Sequence, residues 1–406
     1  MAASENRLKR RSFLQWGAAG LAGMAVKPAS GAGKEDPQGG RSHPQNKSVI
    51  VRTLGRTGLK LPVVSMGVMN SNNTDLIRAA LDGGIVMLDT AHGYQRGTNE
   101  VAISKVIKGR PRDSFVIATK VPAPGRDRST GAIPADANAE PFLEMFNLSL
   151  ERLGLEYVDI LYQHNVLARD QVFFEPVLKA LQKIKKEGRA RFIGVTTHGN
   201  EPEVIRAAVE SKVHDVVLSA YNFRQDHRDE VRKAVAEAAA AGVGIVAMKT
   251  QAGAFWDKEK QHPINMKAAL KWVLNDPNVT TAIPGMTTFD QLEEDLAVMS
   301  DLTLTEQDLK DLKMDVHGGL YCQHCRQCLP GCRQGLPVPD LMRGYMYAYG
   351  YRNMSLASDL LGELDVPAEA CRNCGTCTVR CAKGFDVAGR IRDIVRLKDV
   401  PLDFLA

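Results

Sequence analysis

The sequence predicts an α/β protein: a (β/α)8 barrel of the TIM type, followed by a small α-helical C-terminal domain. Two observations support this prediction. Between residues 49 and 315, short apolar or β-branched runs alternate eight times with longer segments of helical periodicity. All eight cysteines then lie between residues 322 and 381. We therefore expect a leader and linker over 1–48, a barrel over 49–315 and a second domain over 316–406.

The eight apolar runs are the predicted strands of the barrel. They read as continuous hydrophobic stretches, which indicates a parallel sheet buried on both faces. Eight strand–helix units fit the usual barrel length of about 250 residues. The predicted strands are 63–69, 85–91, 115–121, 158–164, 191–197, 215–221, 244–250 and 280–285. The predicted helices are 75–82, 99–108, 140–153, 174–187, 201–211, 228–241, 264–275 and 288–300.

The net charge of +5 lies entirely in the leader. Residues 1–47 hold eight Lys or Arg and three Asp or Glu, whereas the rest of the chain holds 44 of each. A neutral body lacks the basic surface that nucleic-acid binding requires. No apolar run reaches the roughly 18–20 residues that cross a bilayer. We expect no nucleic-acid partner and no membrane span in the mature protein.

The N-terminus has the pattern of a signal peptide. R-R-S-F-L over 10–14 precedes a short apolar stretch over 17–26 and small residues at 30–32. The arginine pair followed by Phe-Leu resembles a twin-arginine signal. It implies the twin-arginine translocase as a partner and a periplasmic or other extracytoplasmic location. The alternatives are a disordered basic N-terminus and a cytoplasmic enzyme whose leader is never processed.

Three successive predicted strands end in an ionisable side chain. Asp89 ends the second strand, Lys120 the third and His164 the fourth, and Tyr94 follows Asp89 in the next loop. The C-terminal ends of all strands meet at one mouth of a (β/α)8 barrel, where enzymes of this fold have their active sites. We therefore expect these four side chains to converge there.

The segments that contain these residues resemble the aldo-keto reductase family. The likeness lies in D-T-A-H-G-Y-Q-R-G-T-N-E over 89–100, in T-K ending the third strand and in D-I-L-Y-Q-H ending the fourth. It extends over the whole barrel. The resemblance implies an oxidoreductase that acts on a small-molecule carbonyl or alcohol, with a catalytic tetrad of Asp89, Tyr94, Lys120 and His164.

Elementary chemistry is consistent with that tetrad. Carbonyl reduction needs a proton donor beside the oxygen that gains negative charge. The pKa of a free tyrosine is about 10. A nearby ammonium favours the phenolate, so Lys120 is expected to lower the pKa of Tyr94, with Asp89 holding Lys120 in place. His164 would hydrogen-bond the substrate oxygen or the phenol. The alternative is an Asp89–Lys120 ion pair in an inactive barrel.

The resemblance also implies a nicotinamide nucleotide, either NAD or NADP. Thr196 and Thr197 would bind the carboxamide, and Tyr221 would stack on the nicotinamide. The loop 247–254 resembles the family's pyrophosphate loop, and I-P-G…Q-L resembles its adenosine phosphate element. The candidate residues in these last two segments are Gly253, Pro284, Gly285, Gln291 and Asp295.

This sequence departs from the family's nucleotide pattern at several positions. Thr196-Thr197 replaces the usual Ser-Asn, Leu218 the usual Gln and Asp295 the usual Asn. Residues 285–298 contain no Lys or Arg for a 2′-phosphate. The choice between NAD and NADP, and whether the nucleotide binds at all, therefore stay open.

The cysteines form two runs with the same spacing, C-x2-C-x2-C-x3-C. This is the bacterial ferredoxin spacing, in which the fourth Cys of a run ligates the other cluster. Zinc ribbons use separated pairs, and disulfide frameworks belong mostly to small secreted domains. The usual Pro after the fourth Cys is absent, which leaves the number of clusters and the crossed ligation open. We expect [4Fe–4S] clusters, two of them, on Cys322, Cys325, Cys328, Cys332, Cys371, Cys374, Cys377 and Cys381.

Together the two domains resemble a subgroup of aldo-keto reductases with a C-terminal ferredoxin-type extension. We expect an exported iron–sulfur oxidoreductase in which Tyr94 is the general acid and base. A nicotinamide moves two electrons as hydride and a cluster moves one, so a structural role and electron relay to a redox partner protein both stay open. The alternative is an electron-transfer or partner-binding iron–sulfur protein on a catalytically inactive barrel.

Overall fold

A computed structural model describes most of the chain after the leader. The predicted twin-arginine motif lies outside the described residues. Residues 47–406 form one compact unit. The described residues are 48–127, 132–257, 259–313, 319–364, 366–372, 374–401 and 404–405.

Eight parallel strands form the predicted barrel, and a two-stranded hairpin precedes them. The barrel strands pair in chain order, each with the next. The hairpin is β1 (Val51–Thr53) and β2 (Lys60–Pro62), and the barrel strands are β3 (Met66–Gly67), β4 (Met87–Asp89), β5 (Val116–Pro122), β6 (Val158–His164), β7 (Ala190–Thr197), β8 (Val216–Ala220), β9 (Gly244–Met248) and β10 (Thr281–Ala282). The predicted (β/α)8 barrel is confirmed.

The sheet closes between its first and last strands through isolated bridges. Val64 pairs with Ala282, and Gly67 pairs with Gly285. Gly67 is required here because a Cβ at this position would lie 2.7 Å from the Ile283 carbonyl oxygen. The hairpin covers the opposite end of the barrel, where Leu54 packs into the barrel interior.

Helices surround the sheet and continue into the C-terminal domain. Several begin with a side-chain cap, such as Asn73 before the first helix and Thr305 with Asp308 in a capping box. The barrel region contains α1 (Thr74–Asp82), α2 (Thr98–Ile107), α3 (Glu140–Leu153), α4 (Arg169–Val172), α5 (Glu175–Lys186), α6 (Glu201–Ser211), α7 (Arg228–Ala240), α8 (Met266–Leu274), α9 (Phe289–Val298) and α10 (Glu306–Asp311). The C-terminal domain contains α11 (Val338–Tyr345), α12 (Met354–Gly362) and α13 (Val387–Ile394). No helix in the described ranges is long and apolar enough to cross a membrane.

The strands have two buried faces, as their apolar sequences require. On β8, Val216 and Leu218 point into the barrel interior, whereas Val217 packs outward against the helices. Side chains on a strand alternate between faces. This alternation places Tyr221 on the helix side, which bears on the nucleotide contacts below.

The C-terminal domain packs over the mouth of the barrel at the C-terminal ends of the strands. Asn222, which follows β8, donates to the Tyr321 hydroxyl at 2.8 Å. Arg96, in the loop after β4, pairs with Asp359 on α12 at 2.7 Å. Phe223 and Trp256 of the barrel share an apolar core with the C-terminal helices. The domain therefore forms a roof above the predicted tetrad.

Candidate active site and cysteine centres

A buried ion pair lies at the mouth of the barrel. Lys120 on β5 donates hydrogen bonds to the carboxylate of Asp89 on β4 and to the Thr90 carbonyl oxygen. Asp89 and Lys120 are each 1% exposed. Burial favours the neutral amine, but the Asp89 carboxylate raises the pKa of Lys120 above its ordinary value. Lys120 is therefore a cation at neutral pH.

Tyr94 lies next to that cation. The Lys120 ammonium is 3.3 Å from the Tyr94 hydroxyl, to which it donates, and 4.7 Å from the centre of the ring. Burial raises the pKa of Tyr94 above its ordinary value, and Lys120 and Arg343 oppose this shift only in part. The expected lowering of the Tyr94 pKa is therefore wrong for the described state, because desolvation outweighs the nearby cations.

His164 completes the predicted group of four. Its ring meets the Tyr94 ring edge-on, with centroids 5.9 Å apart and planes at 80°. His198, at the end of β7, lies 6.4 Å beyond, centroid to centroid. The structure thus brings Asp89, Tyr94, Lys120 and His164 together at one mouth.

Tyr221 is not at the mouth of the barrel. Its ring is 1% exposed and packs edge-on against Trp272 with centroids 5.4 Å apart. Its hydroxyl donates to Asp276 and accepts from Arg232. The expectation that Tyr221 stacks on a nicotinamide is wrong in this structure, because strand alternation turns the side chain toward the helices.

Thr196 and Thr197 are buried, and their hydroxyls bond backbone groups. Thr196 Oγ1 accepts from the Asn165 amide at 2.8 Å. Thr197 Oγ1 donates to the Gly199 carbonyl oxygen at 2.6 Å. Leu218 fills the barrel interior. The residues assigned to the nicotinamide end therefore do not fit that role as they stand.

The other nucleotide candidates are split between the surface and the interior. Gly253 is buried in its loop with φ of +102°, and Pro284 is buried at the barrel seam. Gly285 and Gln291 are exposed, and Gln291 accepts from the Thr287 amide at 2.8 Å. Asp295 is 4% exposed, and burial raises its pKa to about 8. Only Gly285 and Gln291 are open to a nucleotide.

The cysteines of the two runs lie close to one another. Cys332, the fourth cysteine of the first run, lines one cavity with Cys371, Cys374 and Cys377 of the second run. The charge of Cys381, the fourth cysteine of the second run, acts on Cys322 and Cys328 of the first. Both observations are consistent with ferredoxin ligation, in which the fourth cysteine of a run binds the other cluster.

The cysteines supply the donors that iron–sulfur clusters use. All eight are free thiols, and thiolates are the ligands of such clusters. Burial raises the pKa of the Cys322 thiol to about 12. Binding to iron would hold it as a thiolate. The donor set therefore fits an iron–sulfur centre.

Sequence reasoning placed Lys249 in the loop 247–254 without giving it a role, and it missed Arg343. Lys249 directly follows β9, and Arg343 lies on α11 of the roof. Burial, with a contribution from Arg343, lowers the pKa of Lys249 to about 7. The position of Lys249 at a strand end was a usable signal. No sequence signal identifies Arg343, because this residue reaches the site only through the packing of the C-terminal domain on the barrel.

Comparison with known proteins identifies the class of protein. The model of the aldo/keto reductase family matches residues 65–268, and that of the 4Fe-4S dicluster domain matches residues 321–385. The chain belongs to the aldo/keto reductase family. It is an oxidoreductase with a C-terminal iron–sulfur domain, so both family expectations are confirmed.

Individual relatives cover the barrel. L-galactose dehydrogenase of Arabidopsis thaliana is 28% identical over 65% of this chain and 92% of its own length. L-glyceraldehyde 3-phosphate reductase of Escherichia coli is 24% identical over 66% of this chain and 92% of its own length. An aldo-keto reductase from Bacillus halodurans in its holo form has a TM-score of 0.53 at 21% identity, covering 66% of this chain and 96% of that one. This last likeness concerns the fold alone.

Proposed function

We propose that the protein interconverts a carbonyl and an alcohol on a small molecule, with Tyr94 as general acid and base. One observation carries the proposal: the Lys120 ammonium, held by Asp89, donates to the Tyr94 hydroxyl at 3.3 Å at the mouth of the barrel. The names of the two relatives, a sugar dehydrogenase and an aldehyde reductase, support the same substrate class.

The geometry supports a direct proton transfer. In reduction, the Tyr94 hydroxyl donates its proton to the substrate oxygen, and the Lys120 ammonium stabilises the phenolate that remains. His164, edge-on to Tyr94, hydrogen-bonds the substrate oxygen. Because burial raises the pKa of Tyr94, the phenol is protonated at neutral pH and ready for reduction.

We propose NAD(P) as the hydride donor, on the family assignment and on the exposure of Gly285 and Gln291. A nicotinamide supplies hydride when it is bound. The orientations of Tyr221, Thr196 and Thr197 do not fit the contacts assigned to them, so we derive no step through the nucleotide.

For the C-terminal domain we propose two [4Fe–4S] clusters with crossed ligands. The cavity that Cys332 lines with Cys371, Cys374 and Cys377, and the charge of Cys381 acting on Cys322, support this arrangement. A bound cluster supplies one-electron transfer. Crossed ligation joins the two halves of the roof, so the proposed role is to hold Arg343 above the tetrad. Electron relay to a redox partner protein is the alternative role.

We also propose export by the twin-arginine translocase to a periplasmic or other extracytoplasmic location. The pattern R-R-S-F-L over 10–14 supports this proposal. Replacing Arg10 and Arg11 by Lys keeps the charge and alters the signal. The unprocessed protein should then stay in the cytoplasmic fraction, and unchanged export of the variant would contradict the proposal.

Turnover of the anaerobically purified holoprotein tests the enzymatic proposal. Aldehydes and ketones are offered with NADPH, NADH or reduced methyl viologen, and nucleotide released on denaturation is assayed. Tyr94→Phe should lose about 100-fold or more in kcat/KM. Tyr157→Phe is the control, since Tyr157 lies beside Arg112 at the opposite end of the barrel. Unchanged turnover in Tyr94→Phe would contradict the role of Tyr94, and no turnover by the wild type would favour an electron-transfer or partner-binding protein on an inactive barrel.

A further inference from the structure

We propose that the mouth of the barrel contains an oxyanion site, formed by Lys249 and Arg343, that binds a carboxylate or phosphate on the carbonyl substrate. The inference rests on the proposed function and narrows its substrate class. The site is composite, because Lys249 comes from the barrel and Arg343 from the roof.

Within the described residues, the side chain of Lys249 is unpaired. It is half-buried at the C-terminal end of β9, the same end of the barrel at which Lys120 and His164 lie. Among the described residues, none accepts a hydrogen bond from its ammonium or forms an ion pair with it, although its own carbonyl oxygen accepts from Asn222. A partly desolvated ammonium without an acceptor is unfavourable, and an anionic ligand would supply one.

Arg343 brings a second cation into the same space. It is 8% exposed, pairs with Asp340 at 3.2 Å and lies 3.2 Å from His324 Nδ1. His324 lies against Gly199 just after β7, where an added Cβ would be 3.0 Å from the His324 carbonyl oxygen, so Arg343 reaches the strand ends at the mouth. Its charge acts on both Lys249 and Tyr94. A single guanidinium nitrogen, Nη2, contacts both Asp340 and His324. The other N–H donors of the planar Arg343 guanidinium remain for a ligand.

The carboxylates near Lys249 do not pair with it. The carboxylates that act on it are Asp340, which pairs with Arg343, and Glu201, which binds Gln225 and His227 at 2.9 and 2.8 Å. The Asp89–Lys120 pair is internally neutral. Both carboxylates near Lys249 thus already have partners, and a ligand of opposite charge complements the remaining cation.

Polar atoms at neighbouring strand ends also lack partners within the described residues. They are buried, and they follow three different strands: Asn165 Oδ1 after β6, His198 Nδ1 after β7 and Thr250 Oγ1 after β9. Buried polar groups are normally hydrogen-bonded, and an unpaired one needs a reason. A polar substrate that enters the mouth would supply such partners.

A competing role for Lys249 is to balance the charge of the cluster on Cys322. Cys322 acts on both Lys249 and Arg343. Lys383 offers a matched comparison, because its amide donates to Cys381 Sγ of the same group while its ammonium binds Asp226. If Lys249 and Lys383 serve only to balance the charge of this cluster, Lys249→Gln and Lys383→Gln should change anion binding to the same extent.

Binding of unreactive anions tests the site without turnover. Benzoate and phenyl phosphate are titrated into the oxidised holoprotein, with iron content confirmed for each variant. At least one should bind to the wild type, to Lys383→Gln and to Tyr94→Phe with Kd values within about twofold. Lys249→Gln should bind it about tenfold or more weakly, as expected on loss of a charged hydrogen bond, and Lys249→Arg should retain binding. Equal binding by Lys249→Gln, or no binding by the wild type, would overturn the proposal.

Substrate preference gives a second readout. The ratio of kcat/KM for 4-carboxybenzaldehyde to that for 4-nitrobenzaldehyde, its neutral isostere, should fall about tenfold in Lys249→Gln and stay unchanged in Lys383→Gln. A shift of the cluster's reduction potential with no change in this ratio would overturn the proposal in favour of the charge-balance role. If neither aldehyde reacts but anion binding still depends on Lys249, the proposed function fails, and the bound anion then marks the nucleotide phosphate site that the resemblance of the loop 247–254 implies rather than a substrate site.

Discussion

The barrel and its roof are stabilised in different ways. The barrel strands form continuous parallel ladders, with apolar residues buried both inside the barrel and against the helices. The roof has three helices of eight or nine residues, and its cysteines lie in loops outside these helices. A small core of this kind usually needs a metal or other cross-link. We therefore expect the fold of the barrel to depend on its apolar core, and the fold of the roof to depend also on the proposed clusters.

Removing the iron should separate the two regions most clearly. Chelation under reducing conditions should expose the amides of α11 and α13 to rapid hydrogen exchange, because binding of the clusters contributes to folding there. Amides of β5 to β7 should stay protected. Equal loss of protection in both regions would contradict the comparison, as would a roof that remains protected without iron.

Within the barrel, removing a charge should lower the free energy of unfolding most at the Asp89–Lys120 pair. Lys120→Met leaves the Asp89 carboxylate buried and unpaired, which should lower the free energy of unfolding by about 3–5 kcal/mol and reduce turnover. Lys179→Met is the matched control, since Lys179 and Glu175 form an exposed pair. The control should change stability by less than about 1 kcal/mol in denaturant titrations. Similar values for both variants would refute this account of the pair.

Within the roof, single cysteine variants should show the crossed ligation. Cys332→Ala should lower the iron content from about eight to about four atoms per chain and loosen the loop of Cys371 to Cys377. Cys381→Ala should instead loosen the loop of Cys322 to Cys328. Iron analysis with hydrogen exchange on both loops measures this. If each variant loosens only its own run, the crossing is wrong.

Tyr221→Phe should have the smallest effect. It removes the hydroxyl contacts with Asp276 and Arg232, so we expect a loss of about 0.5–1.5 kcal/mol in stability. The KM for a nicotinamide nucleotide should stay unchanged, since the ring packs against Trp272 rather than facing the mouth. A tenfold rise in the KM for the nucleotide would instead indicate that Tyr221 stacks on the nicotinamide, contrary to its packing against Trp272.

The barrel was predictable because each of its strands is buried on both faces and therefore has a continuous apolar sequence. It predicted the lengths of the seam strands less well. The expected strands over 63–69 and 280–285 shorten to Met66–Gly67 and Thr281–Ala282. Pro284 has no amide to continue the ladder, and closure proceeds through isolated bridges instead.

The tetrad was predictable because strand order places its members at one mouth. Tyr221 was misassigned because the resemblance was followed at a position where strand alternation on β8 indicates the opposite face. The pKa of Tyr94 depends on the extent of burial, which spacing alone does not give. Arg343 was beyond prediction because it reaches the mouth only through the packing of the roof.

The pH dependence of carbonyl reduction tests the central claim most directly, which is that buried Tyr94 supplies the proton. Reduction requires the protonated phenol, and burial raises its pKa. With the neutral substrate 4-nitrobenzaldehyde, whose binding does not involve the Lys249 ammonium, we therefore expect kcat/KM to stay level from about pH 6 to 9 and to fall only as pH rises above about 10. The residual rate of Tyr94→Phe should not show this fall. A wild-type rate that falls between about pH 6 and 8, as a histidine acid would produce, would contradict the account.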